Sequence, residues 1–421
     1  MTARGPNGAV TPIPLSTLKR TSGRMKTHKH KHRRADTRII HTGSHPEIFQ
    51  GAMNPPVYHA STVLFPSVAE MEAAVKRRYD DTVYYGLHGT PTSFAFEEAV
   101  ADLEGGHRSV SLCSGLAAIT AALFALLEQG DHLLMVDTAY GPTRSLCNNL
   151  LKKCGIETTY YDPMIGAGIA ELIQPNTKVV FTESPGSLTF EVQDIPAIAK
   201  AAHAGGAKVL LDNTWSAGHF FKPFEHGVDV SIQAATKYIA GHADVMIGTI
   251  TSTEELATRM KQTSVNMGYC AAPDDCYLSL RGMRTLSVRM DRHQENALAL
   301  ARWFKARPEV AAVLHPAFDD CPGHEIWKRD FTGASGLFGV ILKPTSRDRV
   351  TAMLDNMRYF GLGFSWGGFE SLMILDDPGH IRTATRWPHD GPCLRVHAGQ
   401  EDVTDLIDDL DVGFARLNSG A

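Results

Sequence analysis

Four kinds of group that could act together on a small molecule recur through the middle of this sequence, each just after an apolar run. Ser114-Gly115-Leu116 follows "RSVSLC" and opens an apolar stretch; Tyr140, in "DTAYGP", follows "HLLMV". Asp212 closes "KVLLD", and Thr236-Lys237 comes soon after "DVSIQ". Each has an ordinary reading when taken alone. A Ser-Gly before a helix is a cap, a tyrosine in a strand-end loop packs, an aspartate caps a turn, and a lysine is a surface cation.

Taken together, the four favour one chemistry. A helix start offers backbone N–H groups, at the positive end of its dipole, to a phosphate. An aromatic ring can stack on a pyridine, a carboxylate can keep the pyridine nitrogen protonated, and a lysine amine can bond an aldehyde. Those are the requirements of pyridoxal phosphate. A low-dielectric site with a neighbouring cation lowers the lysine pKa, so that its amine is available as a nucleophile.

The elements that must position these groups alternate between strand and helix. Residues 109–113, 132–136 and 178–183 are predicted strands, as are the runs "KVLLD", "DVSIQ" and "DVMIGTITS". Residues 115–127 form a predicted buried helix, and Asp194-Ile195-Pro196 starts another, with aspartate as N-cap and proline in the first turn. Continuous apolar strands separated by helices imply an α/β fold with a mostly parallel sheet covered on both faces. In such sheets ligands bind beyond the carboxyl ends of the strands, where the four groups fall. After about residue 284 the pattern becomes a smaller α+β unit. "QENALALARWFKARPEV" is a helix, and "SGLFGVILK" and "CLRVHAG" are strands. Val403, Leu406, Ile407, Leu410, Phe414 and Leu417 share one face of a last helix. The organisation expected is a basic disordered arm (1–36), an N-terminal segment (37–89), a cofactor-binding domain (90–283) and a C-terminal domain (284–421).

Composition narrows the function further. A net charge of -5 over 421 residues gives no reason to expect nucleic acid or an acidic membrane as partner. The longest apolar run, 115–127, is well short of the roughly 20 residues that span a bilayer. Seven scattered cysteines without a Cys-x-x-Cys indicate neither a disulfide framework nor a zinc ribbon, and fit a reducing, cytoplasmic compartment. The "HKHKH" tract at 28–32 has no defined geometry for a metal, so no metal is expected. Cys113 is expected to be buried as a small apolar residue.

Several longer stretches carry a family resemblance. "DNTWSAG", "SIQAATKYIAGHADVMIG", "SLRGMRTLSVRM", "HEIWKRDFTGASGLF", "FSWGGFESL" and "LRVHAGQEDVTDLIDDLD" occur in order along the chain. Together they resemble the Cys/Met-metabolism family of pyridoxal-phosphate enzymes, and within it the bacterial cystathionine β-lyases. The resemblance implies an aspartate-aminotransferase-like (type I) fold and cleavage of L-cystathionine to homocysteine, pyruvate and ammonia. It also implies a homo-oligomer, at least a dimer and by family expectation a tetramer. In this reading Lys237 bonds the coenzyme and moves protons, Asp212 faces the pyridine nitrogen, and Tyr140 stacks on the ring. Gly115, Leu116 and Thr236 hold the phosphate. Arg395 binds the substrate carboxylate, Ser365 lies beside Lys237 and that carboxylate, and Tyr85 reaches into the neighbouring subunit's site.

One departure stands out. The family usually has an arginine on the phosphate two positions after that tyrosine, whereas here Leu87 is followed by His88. His88 is the candidate substitute, which would make cofactor retention depend on pH near neutrality. Ala234 stands where many relatives have a phosphate-binding serine, and alanine there agrees with the β-lyase subgroup. Rival readings are another reaction of the family, by γ-elimination or γ-replacement, and a coenzyme-binding regulator with little activity. A nicotinamide dehydrogenase would want a G-x-G-x-x-G between strand and helix, which the sequence lacks.

Overall fold

The computed structural model describes residues 34–419. Most of residues 1–36, including the "HKHKH" tract, therefore lies outside the described residues. Seven strands form the larger sheet: β1 (Arg108–Leu112), β2 (His132–Val136), β3 (Glu157–Tyr161), β4 (Thr177–Glu183), β5 (Lys208–Asp212), β6 (Val230–Gln233) and β7 (Gly248–Ser252). Their order is β1-β7-β6-β5-β4-β2-β3. The β2–β3, β2–β4, β4–β5 and β5–β6 pairings are parallel, and β7 runs antiparallel to both its neighbours. Every residue of β2, β6 and β7 is buried. Alternate residues of a strand face opposite sides, so the sheet is covered on both faces. The helix Gly115–Leu126 begins at an N-cap, Ser114, whose side chain accepts from Ala117 N–H. The helix Ile195–Ala204 has Asp194 as N-cap, as its sequence predicts.

The reversed strand was not foreseen. "DVMIGTITS" reads as one apolar run, but only its second half, Gly248–Ser252, joins the sheet. Val245 and Ile247 are buried in the loop before it. Because β6 and β7 are antiparallel neighbours, their connection needs no crossover helix. Residues 234–247 are free to fold over the carboxyl end of the sheet, and this loop carries Thr236 and Lys237.

The smaller sheet contains β8 (Val310–Leu314), β9 (Leu337–Leu342), β10 (Leu372–Asp376) and β11 (Cys393–His397), all antiparallel, in the order β10-β11-β9-β8. It packs with the helices Leu286–Lys305 and Val403–Ser419 around a second apolar core. The first of these helices starts earlier than the sequence reading had it, since Arg289, Met290 and His293 are buried on its inner face. It stops before Pro308, which could not continue it, and the expected helical tail instead leads into β8. In the last helix Leu406, Leu410, Phe414 and Leu417 are buried, with Val403 and Ile407 packed at the edge of that core. Among the described residues no helix is long and apolar enough to cross a membrane.

Candidate active site

The loop between β6 and β7 is held from below. Arg289, buried on its helix, donates to the carbonyls of Tyr238 (2.7 Å), Ile239 (3.3 Å) and Gly282 (2.8 Å). A buried guanidinium with several carbonyl partners ties the backbone just after the lysine to the helix turn at Gly282. Nothing in the run "SVRM" marks Arg289 for this part.

Lys237 stands half-buried on this loop. Its Nζ donates to Ser365 Oγ and lies 5.2 Å from the centre of the Trp366 ring. Burial first, and then the Arg395 charge, bring its pKa down to about 8, while Asp212 works the other way. Arg395 comes from β11 and spends one Nη on the carbonyls of Ser365 (3.2 Å) and Gly363 (3.4 Å). Its other guanidinium N–H groups have no hydrogen-bond partner among the described residues. Ser365 takes a left-handed backbone conformation, φ 77°, as does Gly367, φ 85°. The glycine is obligatory: a Cβ there would sit 2.8 Å from Tyr238 N and 2.9 Å from Lys237 C. The 365–367 turn therefore presses directly on the backbone of the lysine.

Asp212 and Tyr140 occupy neighbouring strand ends. Asp212 Oδ1 accepts from Thr214 N–H (3.1 Å) and Thr214 Oγ1 (2.5 Å), so the turn-capping reading was right as far as it went. Its Oδ2 has no donor among the described residues. Burial raises the Asp212 pKa, against the Thr214 bonds and Lys237, which lower it. Tyr140 is exposed in the cleft. Its hydroxyl pKa is raised by burial against the cleft wall and by Glu183 and Asp212, and lowered by Arg395.

Two further carboxylates lie at the strand ends around this tyrosine. Glu183, at the end of β4, accepts from Tyr140 N–H at 2.8 Å. Burial and the neighbouring Asp212 push its pKa well above the ordinary range. Asp137, fully buried after β2, accepts from Arg144, Arg382 and the backbone N–H groups of Thr383, Ala384 and Thr385. Burial alone would raise its pKa, but these donors bring it below its ordinary value. The signal in the sequence was a carboxylate closing a run of buried apolar residues.

The helix start meets the lysine loop closely. A Cβ on Gly115 would lie 2.7 Å from the Cβ of Ala234. Glycine at 115 and a small residue at 234 let the two backbones approach. Gly115 and Leu116 occupy the first turn, where N–H groups have no intrahelical partner. Thr236 Oγ1 bridges Ile247 N–H (2.8 Å) and O (3.1 Å) across the loop.

His88, Cys113 and Tyr85 lie away from the lysine cleft or in surroundings that their sequence context does not show. His88 is no free cation, for its ring is buried and packed edge-on against Tyr84 at 5.0 Å. Burial, with Lys261 and Arg78, lowers its pKa, which works against a charged ring at this position. Cys113 is exposed, because β1 ends at Leu112 and the next residue already belongs to the turn before the helix. Tyr85 is not brought to Lys237 within the chain. It is exposed, accepts a 3.3 Å bond from Ser61, and lines a cavity of about 270 Å³ that includes none of Lys237, Asp212, Tyr140 or Arg395. His242 bonds locally to Ala240 O at 2.7 Å, and Trp366 both touches the lysine and packs on the core.

An amine with a lowered pKa, a cation with unused fork donors, a carboxylate with one free oxygen and an exposed ring thus converge on one cleft. The match to known proteins agrees with this chemistry. The family model of Cys/Met metabolism PLP-dependent enzymes matches residues 36–415. Cystathionine beta-lyase MetC of Escherichia coli (strain K12) is 43% identical, over 91% of this chain and 99% of that protein. A cystathionine beta-lyase of Haemophilus influenzae is also 43% identical, over 90% and 98%. A solved structure of cystathionine gamma synthase from Xanthomonas oryzae pv. oryzae in complex with cystathionine has a TM-score of 0.84 at 30% identity, covering 92% of this chain and 100% of that one. The chain belongs to the Cys/Met metabolism family of pyridoxal-phosphate-dependent enzymes. Pyridoxal phosphate is its cofactor, and the residues fit it. The free Asp212 oxygen, the glycine-lined helix start and the near-neutral amine are what its nitrogen, phosphate and aldehyde require.

Proposed function

We propose that this enzyme is a carbon–sulfur β-lyase that cleaves L-cystathionine to homocysteine, pyruvate and ammonia. The observation that carries the reading is the Lys237 amine, held by Ser365 and flanked by Arg395, in a chain similar over nearly its whole length to cystathionine β-lyases. When bound, pyridoxal phosphate supplies an electron sink for the pair released at the substrate Cα. Gly115 and Leu116 N–H groups would hold the phosphate, with the Thr236 hydroxyl joining them by turning its proton away from Ile247 O; Asp212 would keep the pyridine nitrogen protonated, and Tyr140 would offer its ring face for stacking. Arg395 grips the substrate carboxylate in its planar fork and so fixes the direction of the Cα–H bond. Lys237 takes the Cα proton as a positioned base. The Cβ–S bond then breaks with its electron pair on sulfur, and Lys237 or Tyr140 returns a proton to that thiolate. The three-carbon remainder takes up water and leaves as pyruvate and ammonia. Ser365 keeps the amine aimed, and Tyr85 completes the site of a neighbouring copy, so the working unit is at least a dimer and, in our reading, a cytoplasmic tetramer.

Product identification with L-cystathionine tests the reaction. Pyruvate with homocysteine is expected. Release of 2-oxobutyrate with cysteine would overturn the β-lyase reading in favour of γ-cleavage.

The lowered lysine pKa gives a second expectation. Bonding to an aldehyde requires the neutral amine, and a pKa of about 8 leaves roughly one lysine in ten neutral at pH 7 and roughly nine in ten at pH 9. The rate at which apoenzyme captures the coenzyme should therefore rise about tenfold over that interval and then level off. A rate still climbing steeply toward pH 10, as for an ordinary lysine, would show that the site does not tune the amine.

A further inference from the structure

His397 lies two residues beyond Arg395 on β11, so both side chains leave the strand on the same face. It is almost wholly buried. Its Nε2 accepts from Gly367 N–H at 3.0 Å, and its Nδ1 lies 3.1 Å from Glu370 O. A backbone N–H can only donate and a carbonyl can only accept. The two partners therefore settle the tautomer: the proton sits on Nδ1 and Nε2 is the acceptor. The imidazole thus staples the 367–370 stretch at both ends.

What this staple holds is the part of the turn that touches the chemistry. Ser365, on the amino side of Gly367, receives the Lys237 N–H through its hydroxyl and the Arg395 N–H through its carbonyl. Trp366, between them, faces the amine. The turn is left-handed at both Ser365 and Gly367, and a non-glycine residue pays for that conformation unless its surroundings impose it. We infer that His397 is a positioning residue for the reaction: through Gly367 N–H it holds the 365–367 turn, and through that turn the amine of Lys237 and the guanidinium of Arg395. A second proton, on Nε2, would remove the acceptor and free the turn. Burial pushes the His397 pKa well below its ordinary value; His293, Arg395 and Lys237 push the same way, and only the Glu370 carbonyl opposes them. The ring is packed against His293 (5.2 Å) and Tyr238 (5.9 Å), with no carboxylate among these contacts.

The inference rests on the lyase reading for its kinetic assay, and wild-type turnover of L-cystathionine to pyruvate separates the failure of one from the failure of the other. Two variants of the holoenzyme distinguish the roles of the ring nitrogens. In His397→Gln the amide oxygen can stand near Nε2 and accept from Gly367. In His397→Asn the amide can reach only the place of Nδ1. The asparagine variant should lose about tenfold to a hundredfold in kcat, as expected for a reacting group slightly misplaced, with the glutamine variant within about threefold of wild type. The visible absorbance of the lysine-bound coenzyme should titrate at a different pH in the asparagine variant alone. Equal kcat and equal titration in the two folded variants would overturn the inference. Solid-state NMR of wild-type holoenzyme labelled with ¹⁵N-histidine provides an arm that needs no variant to fold. His397 should show the Nδ1–H tautomer throughout the neutral and alkaline range, and an Nε2–H or doubly protonated ring would equally overturn it.

Discussion

Lys237→Ala should fold normally and turn over L-cystathionine at least about 10²- to 10⁴-fold more slowly, the span lost with a positioned general base. The loss belongs to chemistry and not to stability. The lysine is half-buried, its amine has Ser365 as its hydrogen-bond partner, and its charged form is already disfavoured by burial and by Arg395. Removing it deletes an unfavourable charge from the cleft, so the thermal midpoint of the apoenzyme should be unchanged or slightly raised. The coenzyme should still bind through Asp212, the helix start and Thr236, but without the visible absorbance of the lysine-bound form. Added small primary amines should restore part of the rate, since they supply the missing base without its tether, and the best should have a pKa near the working pH. A variant that kept most of its turnover and its colour would transfer the proton chemistry to another group, with Tyr140 the first to test.

How far such a site can be read from sequence depends on how local its causes are. The helix Gly115–Leu126 and strand β2 were legible because each is a continuous apolar run closed by its own cap or turn. Lys237, Asp212, Tyr140 and the Gly115 turn could be collected because the α/β pattern places strand ends together. The direction of β7 was not legible. An apolar run does not record which neighbour it will pair with, and the reversal depends on how the 234–247 loop closes over the sheet. The supporting residues were hidden for a similar reason. Asp137 meets Thr383 across 246 positions, and Arg289 meets Tyr238 across 51, so neither spacing has a period to recognise. Cys113 is exposed where burial was expected, because exposure is decided by what packs around a residue and not by the apolar run it ends. The resemblance supplied Arg395, Ser365 and Tyr85, which no local pattern would have joined to a lysine so far away in the chain.

Arg395→Leu should cost on the order of 10²- to 10³-fold in kcat/KM, the range for removing one partner of a desolvated charge pair. Most of this should appear in KM, because the substrate carboxylate is gripped before and during the reaction alike. A second effect follows from the same charge. Arg395 is one of the two causes that lower the Lys237 pKa, so removing it makes the protonated amine less costly and the pKa rises. Coenzyme capture by the apoenzyme should then level off at a higher pH than in the wild type. Arg395→Lys separates the two effects. An ammonium retains the positive charge near Lys237 and should leave the pH of levelling almost unmoved, but it cannot offer two parallel N–H groups to a carboxylate, so KM should still rise. It also loses the planar Nη that holds the carbonyls of Gly363 and Ser365, which adds a smaller loss in kcat. If the leucine variant bound substrate as tightly as wild type, the carboxylate would have to be held elsewhere. If the lysine variant shifted the capture profile as far as leucine does, the position of the guanidinium, and not its charge alone, would be what tunes the amine.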